Sequence, residues 1–531
     1  MGRWLANLIR VQEKRAFHGE TVLFFAIFVG AMRLLAEIMF VGFNPENLAL
    51  ELLVYVSWYW LCFFAFGLSV RFFAPPPWQQ RINVILVGLF LGFLPPVIDA
   101  IWYGWGNSVM GQRGFYYAYI VNFPEGWPWL MVAPDRRMPP GEGLILWGAV
   151  IFSAWYVWIR TRSRLRTIAS FALAYSTCVF LGALMPTALY KLHQSLEGTE
   201  GIRPYFEAMT TDFTALIVLG QIVVAYLIYL IAYRPQFLRV QAERIVHVLP
   251  LIGIALVGYA WVRPLDLSAL FAALVVLIAG ALTVAENDYW DHLEEDPEGP
   301  APVERYDLVF AVVSFWSLTA LLVLQGSPIG VVLGVYGVAS YLYNSSLYRG
   351  KRYFPANLKL EGLWGGSAFG IGMFLAIAPM MTSGARPFWF DRSYSGAPFA
   401  SVVGVDVVIA AALAFGGWSV LASLKDHKDV ETDGRLGAHT VFTLARRGGH
   451  DPDAVLGKVR LVAFACMMVG LLGPLAMGRL PWVEAALMLG VALVIWRGPM
   501  HPARSVFRRT LVLITAYLVV LAVGLSRMAG V

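Results

Sequence analysis

The sequence predicts an all-α, polytopic membrane protein with about fifteen transmembrane helices. Three observations carry this reading. Of the 531 residues, 59% are hydrophobic and only 14% charged, whereas soluble domains average about 25% charged. Apolar stretches of about 18 residues or more recur along the whole chain, each long enough to cross a hydrocarbon core about 30 Å thick as a helix. Lys and Arg also concentrate in alternate loops, as the positive-inside rule requires. No soluble domain is visible. The formal charge of +6 reads as an orientation signal, and no nucleic-acid partner is expected.

From the N-terminus, apolar windows place helices near 21–42, 49–73, 83–105, 142–160, 165–190 and 213–233. A basic link, RPQFLRVQAERIVH, follows. Nine more spans come after it, near 247–262, 267–290, 307–326, 328–345, 360–382, 398–424, 457–477, 481–497 and 505–528. The chain therefore divides into a six-helix membrane domain over residues 1–240, of unknown role, and a nine-helix domain over 241–531. A missed helix would swap the sides of all later loops. With this count, RTRSRLR at 160–166, YRGKRY at 348–353 and the cluster Lys425, Lys428, Arg435, Arg446 and Arg447 all fall inside, and the long outer loop 106–140 has only Arg113, Arg136 and Arg137. That loop is rich in aromatics and Pro, as expected at a membrane interface. The basic N-terminus lacks the apolar core and cleavage site of a signal peptide. Cys62, Cys178 and Cys466 all sit in apolar segments and read as small core residues. Arg33, Glu37 and Asp99 fall within or at the edge of spans, where ionisable groups are functional candidates, and read as interhelical pairing or snorkelling.

Two acidic stretches stand out, both on the side assigned inside. ENDYWDHLEED follows an apolar run, LSALFAALVVLIAGALTVA. Asn287, Asp288, Asp291 and Glu295 are separated by one, three and four residues, so a helix would bring them to one face. Glu294, Asp296 and Glu298 lie off that step and are expected to be solvated. In KDHKDVETDGRLG, Asp426, Asp429 and Asp433 repeat the steps of three and four. The stretches close the second and sixth of the nine spans, which suggests an internal duplication; repeat-built membrane folds place sites between their halves. Two facing carboxylate clusters repel unless a cation lies between them. Mg²⁺ is the candidate, a hard ion that takes oxygen ligands and bridges carboxylates to phosphates. Zn²⁺ is disfavoured, with no Cys nearby and no ligand spacing among His292, His427 and His439. Arg349, Lys351, Arg352, Lys425, Lys428 and Arg435 flank the clusters as phosphate-binding donors. The combination describes a site for a diphosphate with a long apolar tail.

On these residues the chain resembles the UbiA superfamily of intramembrane prenyltransferases over about 247–531. NDYWDHLEE matches NDxxDxxxD through Asn287, Asp288 and Asp291, with Glu295 in place of Asp. KDVETDGRLGAHT matches KDxxxDxxxxGxxT through Lys428, Asp429, Asp433, Gly437 and Thr440. YNSSLYRGKRY is similar to the family's Tyr-led turn, with Tyr343, Asn344 and Arg349 as counterparts. The resemblance implies a nine-helix bundle in which Mg²⁺, held through Asn287, Asp288, Asp291, Glu295, Asp426, Asp429 and Asp433, ionises a polyprenyl diphosphate. Asp288, Asp291, Asp429 and Asp433 are then catalytic. The prenyl group passes to an aromatic or lipid acceptor, and Tyr289, Trp290, Tyr341 and Tyr343 are candidates to stabilise the cation. A terpene cyclase and a polyprenyl-phosphate phosphoribosyltransferase are alternatives within the superfamily, and a transporter is the non-enzymatic one. The chain departs from the family after the first motif, where DPEGPAPVERYDL offers only Arg305 in place of a basic stretch, and Tyr348 stands where Lys is frequent. The expected location is a bacterial inner membrane, active site toward the cytoplasm; the resemblance does not extend to the first 246 residues, and residues 1–240 are a candidate to engage a partner protein, deliver the acceptor or serve as a scaffold.

Overall fold

The computed structural model describes residues 2–15, 18–42, 48–74, 81–104, 140–185, 188–189, 211–266, 269–295, 301–324, 327–345, 347–381, 404–497 and 504–529. Among them the chain is helical, and the one β contact is an isolated parallel bridge between Tyr353 and His439. Twelve helices are long and apolar enough to cross a membrane. The shorter apolar helices Ile217–Tyr233, Pro328–Asn344 and Trp482–Arg497 stand where the other three spans are expected. The protein is thus an all-α polytopic membrane protein. Residues 106–139 of the expected interfacial loop lie outside the described residues.

The chain forms two compact units, Met1–Leu238 and Arg239–Val531. In the first are α1 (Gly2–Lys14), α2 (Gly19–Ala36), α3 (Leu48–Phe73), α4 (Ile85–Leu89), α5 (Pro95–Tyr103), α6 (Pro140–Thr161), α7 (Arg164–Val179) and α8 (Thr211–Ile228). Helices α2, α7 and α8 each run on into a single π turn, Glu37–Val41, Phe180–Leu184 and Tyr229–Tyr233. Arg33, 5% exposed, is the electrostatic centre of this unit. Its guanidinium donates to Glu37 Oε1 at 2.7 Å, to Glu142 Oε1 at 3.2 Å and to the Gly92 carbonyl at 3.3 Å. Tyr55 donates to the other oxygen of Glu37, and Asp99 accepts from the Gly141 amide at 2.7 Å. The expected interhelical pairing is what these residues do, and it ties α2, α3, α5 and α6 together.

The boundary between the units falls in the first turn of α9 (Pro235–Val262). The basic segment 234–247, expected as a link, is instead nearly all helix, continuous with the seventh span through Pro250. Its charged residues and the apolar span after it share one helical repeat, so nothing forces a break. The second unit continues with α10 (Ala269–Glu295), α11 (Arg305–Leu324), α12 (Pro328–Asn344), α13 (Ala356–Met381), α14 (Val405–Ser423), α15 (Val430–Arg435), α16 (Val441–Arg447), α17 (Pro452–Ala476), α18 (Trp482–Arg497) and α19 (Arg504–Ala529). Start signals are local: Ser327 precedes Pro328 at the first turn of α12, and Asp451 caps α17 by accepting from the Asp453 amide at 3.0 Å before Pro452. Helices α9 and α13 cross at Gly258 and Gly372, where any Cβ would collide with the carbonyls of Phe369 and Ala255. Small residues at such crossings let membrane helices approach closely.

Breaking a buried ion pair from one side strands the remaining charge, at about 3 to 5 kcal/mol. Arg33→Met is therefore expected to destabilise the first unit by about that amount in equilibrium unfolding in bicelles. Adding Glu37→Gln and Glu142→Gln should recover most of the loss; an Arg33→Met protein as stable as the wild type would contradict the pairing.

Candidate active site

The first acidic stretch prolongs α10 beyond its apolar part. Gly280, Thr283, Val284, Asn287, Asp288, Asp291 and Glu294, spaced one, three or four apart, form one stripe along a cavity of about 560 Å³. Each carboxylate of the stripe meets a cation. Asp288, 5% exposed, pairs with Arg244 Nη2 at 3.1 Å. Asp291 pairs with Lys351 and accepts from Asn287 Nδ2 at 2.7 Å. Glu294 holds two guanidiniums, Arg349 and, at 2.5 Å, Arg352. Its side chain is 9% exposed, which corrects the expectation that Glu294 is solvated. At 3.6 residues per turn a step of three from Asp291 keeps the face as well as a step of four does. The side chain of Glu295 and residues Asp296 and Glu298 lie outside the described residues.

The second acidic stretch faces the same cavity by a different route. After α14 the chain tightens into a 3₁₀ segment, Leu424–Asp429, then resumes as α15. Three residues per turn eclipse Asp426 and Asp429, and Asp433 follows one α turn on. All three line the cavity, so the shared face arises from two helix types and not from the continuous helix end that the spacing suggests. Asp426 is 7% exposed and accepts from Asn357 Nδ2 at 3.3 Å. Gly437 ends the stretch at φ +74°, a left-handed conformation that glycine adopts without strain. Thr440 then caps α16: its hydroxyl accepts from the Thr443 amide at 3.3 Å, and Thr443 Oγ1 accepts from the Thr440 amide at 2.8 Å. The Gly and Thr of the motif thus shape the turn that follows the carboxylates.

The basic loop between α12 and α13 joins the two stretches. The His439 amide donates to the Arg352 carbonyl at 2.6 Å, and the Phe354 amide to the His439 carbonyl at 2.8 Å. Arg349 adopts φ +48°, an uncommon region for a residue with a side chain, at the turn that delivers Lys351 and Arg352 to the cavity wall. Of the expected substrate-binding residues, Tyr343, Lys351 and Arg352 line the cavity. Arg349 pairs with Glu294 and is not among the lining residues, Asn344 is fully buried at the end of α12 outside the cavity lining, and Arg435 is exposed at the end of α15. The side chains of Lys425 and Lys428 lie outside the described residues.

A third wall was not expected. Glu243, Arg244, His247, Val248 and Leu251 of α9 line the cavity, as do Arg508 and Leu511 of α19. The signal was present as a spacing of three and four in ERIVHVLPL that continues into the apolar span. Deeper in, the lining becomes aromatic with Tyr336, Tyr343, Trp364 and Trp418. The rings of Tyr343 and Trp364 lie 4.8 Å apart, and the Tyr343 hydroxyl donates to the buried Glu361 at 2.8 Å. Tyr289, Trp290 and Tyr341 are not among the lining residues: the first two pack on each other, one and two residues past Asp288 and so off its face, and Tyr341 is 46% exposed. A second, almost wholly apolar cavity of about 220 Å³ follows, lined by Ile254, Leu421, Cys466, Ile514 and others, and Trp418 lines both. Its polar end is Asp406, shared between Trp261 Nε1 at 3.1 Å and Arg479 at 2.9 Å.

Among the described residues no three His, Cys, Asp or Glu side chains stand close enough to hold a metal ion by themselves. The donor set is nonetheless one of hard oxygens, two facing groups across a cavity with cations on the rim. That fits Mg²⁺, which takes one or two carboxylates and completes its octahedron with water and phosphate oxygens. No family model matches the chain, and no curated protein matches it in sequence. Comparison with solved structures returns one described as giving structural and mechanistic insights into the biosynthesis of digeranylgeranylglyceryl phosphate synthase in membranes. It is 16% identical, with a TM-score of 0.37, over 55% of this chain and 98% of that one. At that score the likeness bears on neither substrate nor mechanism.

Glu294→Gln removes the charge that gathers Arg349 and Arg352. A hydrogen bond to a charged group contributes about 1.5 to 3 kcal/mol, so hydrogen exchange at the amides of residues 352–354 should accelerate roughly ten- to a hundredfold. Unchanged protection there would show that the loop is held by its backbone bridge alone.

Proposed function

We propose that the protein is an integral membrane transferase that ionises a polyprenyl diphosphate with the help of Mg²⁺ and passes the prenyl group to an aromatic or lipid acceptor. The observation that carries this reading is a single cavity bearing both carboxylate groups and their cations at one end, aromatic rings deeper in, and an apolar cavity beyond Trp418. Those three zones correspond to a charged head, a reacting allylic carbon and a hydrocarbon tail. Of the residues that resemble UbiA-superfamily motifs, Asn287, Asp288, Asp291, Tyr343, Asp429, Asp433 and Thr440 line the first cavity.

In this reading Asn287, Asp288 and Asp291 on one wall, and Asp426, Asp429 and Asp433 on the other, hold the metal. Bound there, Mg²⁺ supplies Lewis-acid neutralisation of charge on the departing diphosphate. Lys351, Arg352 and Arg244 bind the phosphate oxygens and stabilise the same charge as the allylic C–O bond breaks and its electron pair leaves with oxygen. Tyr336, Tyr343, Trp364 and Trp418 present π faces to the carbocation, an interaction that strengthens where water is excluded. The acceptor's nucleophilic atom then bonds to the allylic carbon and its proton is lost. The charged end faces the cytoplasm, on the side of the Lys- and Arg-rich loops.

Incubation of the full-length protein in nanodiscs with Mg²⁺ and labelled polyprenyl diphosphates should release pyrophosphate. Asp288→Ala and Asp429→Ala should each lower that release by about 100-fold or more, the scale of losing a preorganised electrostatic group. Wild-type turnover in both variants would rule the two-wall mechanism out, and release without any acceptor would favour a cyclase. Trp418→Ala, which joins the two cavities, should shift preference toward longer prenyl chains.

A further inference from the structure

The rim of the cavity is neutralised by the chain itself, and its pairs are not equivalent. Glu294 is held by two guanidiniums, with a side chain 9% exposed. Among the described residues Asp288 and Asp291 each form one ion pair. Lys351 and Asp291 have side chains 16% and 32% exposed, and Arg244 is 44% exposed although Asp288 is 5%. Arg244 and Lys351 both border the cavity of about 560 Å³. Arg349, Lys351 and Arg352 share one loop, whose backbone is tied to His439. Arg244 lies on a separate helix, α9, and among the described residues Lys351 pairs with Asp291.

A divalent cation and the Arg244 and Lys351 side chains compete for the same oxygens. A metal that takes Asp288 and Asp291 displaces two cations into a cavity that must accommodate several negative phosphate oxygens. We infer that Arg244 and Lys351 are exchange cations: they sit on Asp288 and Asp291 in the free chain and transfer to the diphosphate when the metal takes those carboxylates. Metal and diphosphate then each raise the affinity for the other, since linkage is reciprocal. The inference rests on the proposed metal–diphosphate reading and adds to it an order and a sign. It also gives this chain a source of positive charge for the diphosphate in place of the basic stretch missing after the first motif.

The sign makes the test sharp. A residue that only binds phosphate has little effect on metal affinity in the absence of phosphate, and a residue that only supports the carboxylates weakens metal binding when removed. An exchange cation does the opposite, because its removal frees a carboxylate and takes a like charge from the metal's neighbourhood. The experiment uses full-length protein in nanodiscs, Mn²⁺ as an electron paramagnetic resonance probe and inorganic pyrophosphate, with free Mn²⁺ buffered. In the wild type, pyrophosphate should tighten Mn²⁺ binding by a factor in the range of about 5 to 150. Lys351→Met and Arg244→Met should each bind Mn²⁺ several-fold more tightly than wild type without pyrophosphate and show a smaller coupling factor. Arg497→Met, on the exposed end of α18, removes a charge far from these pairs in sequence and serves as control. Lys351→Gln and Arg244→Gln replace any Met variant whose melting temperature falls. If the variants bind Mn²⁺ no more tightly than wild type, or no more tightly than the control does, the exchange is wrong while the site stands. If the wild type binds no Mn²⁺ with or without pyrophosphate, the metal–diphosphate reading falls with it.

Discussion

The second unit is organised by a problem of charge. Helix α10 carries Asp288, Asp291 and Glu294 out of an apolar segment without a break, and carboxylates crowded at a membrane boundary repel strongly where the dielectric is low. Compensation comes from two separate places, Arg244 on α9 and the trio Arg349, Lys351 and Arg352 on the loop after α12. Bringing that loop to α10 fixes its path, and its path determines what it touches next. Through the Tyr353–His439 bridge it holds the turn that follows Asp426, Asp429 and Asp433. The two acidic stretches, some 140 positions apart in sequence, therefore face one cavity because both are fastened to one basic loop.

How much of this was legible in the sequence depends on how local each signal is. The fifteen apolar segments and the stripe Asn287, Asp288, Asp291 follow from length and helical repeat alone. The choice between Glu294 and Glu295 does not, since steps of three and four both keep the face of a 3.6-residue repeat. Tyr289 and Trp290 are a different case: they were expected to stabilise the cation, but at about 100° per residue they rotate away from Asp288 and do not line the cavity. The eclipsing of Asp426 and Asp429 was hidden because a tightening to 3₁₀ leaves no mark in composition. Arg244 was missed for a physical reason too. A run of basic residues before a span reads as a loop signal under the positive-inside rule, yet long basic side chains also extend from a helix whose stem is buried.

The cavities run along the helices more than across them. On α9 the lining passes from Leu251 to Ile254, and on α19 from Leu511 to Ile514, each a step of three residues, or about 4.5 Å of rise. Helix α14 contributes Trp418 to both cavities. A molecule occupying the two would lie roughly parallel to these helices, charged end among the carboxylates and chain among Val, Leu, Ile and Met side chains. Such a layout separates two requirements that conflict in water. Diphosphate chemistry needs hard oxygens, cations and some solvent, while a hydrocarbon tail and an allylic cation need their absence.

The same layout weighs against a transporter. Alternating access turns on a binding site near the bilayer midplane, reached in turn from both sides. Here the carboxylates and their cations sit at helix termini: Asp288, Asp291 and Glu294 in the last two turns of α10, Asp426 and Asp429 just beyond α14, and Lys351 and Arg352 in a loop. What lies deeper along the described walls is aromatic or aliphatic, apart from buried groups such as Glu361 that are already hydrogen-bonded to the wall. Between that rim and Asp406, which is already paired with Arg479 at the polar end of the second cavity, a hydrophilic solute would find few ligands. An amphiphile finds both of its halves matched at once, and the charge compensation that shapes the rim is of the kind a polyphosphate head would exploit.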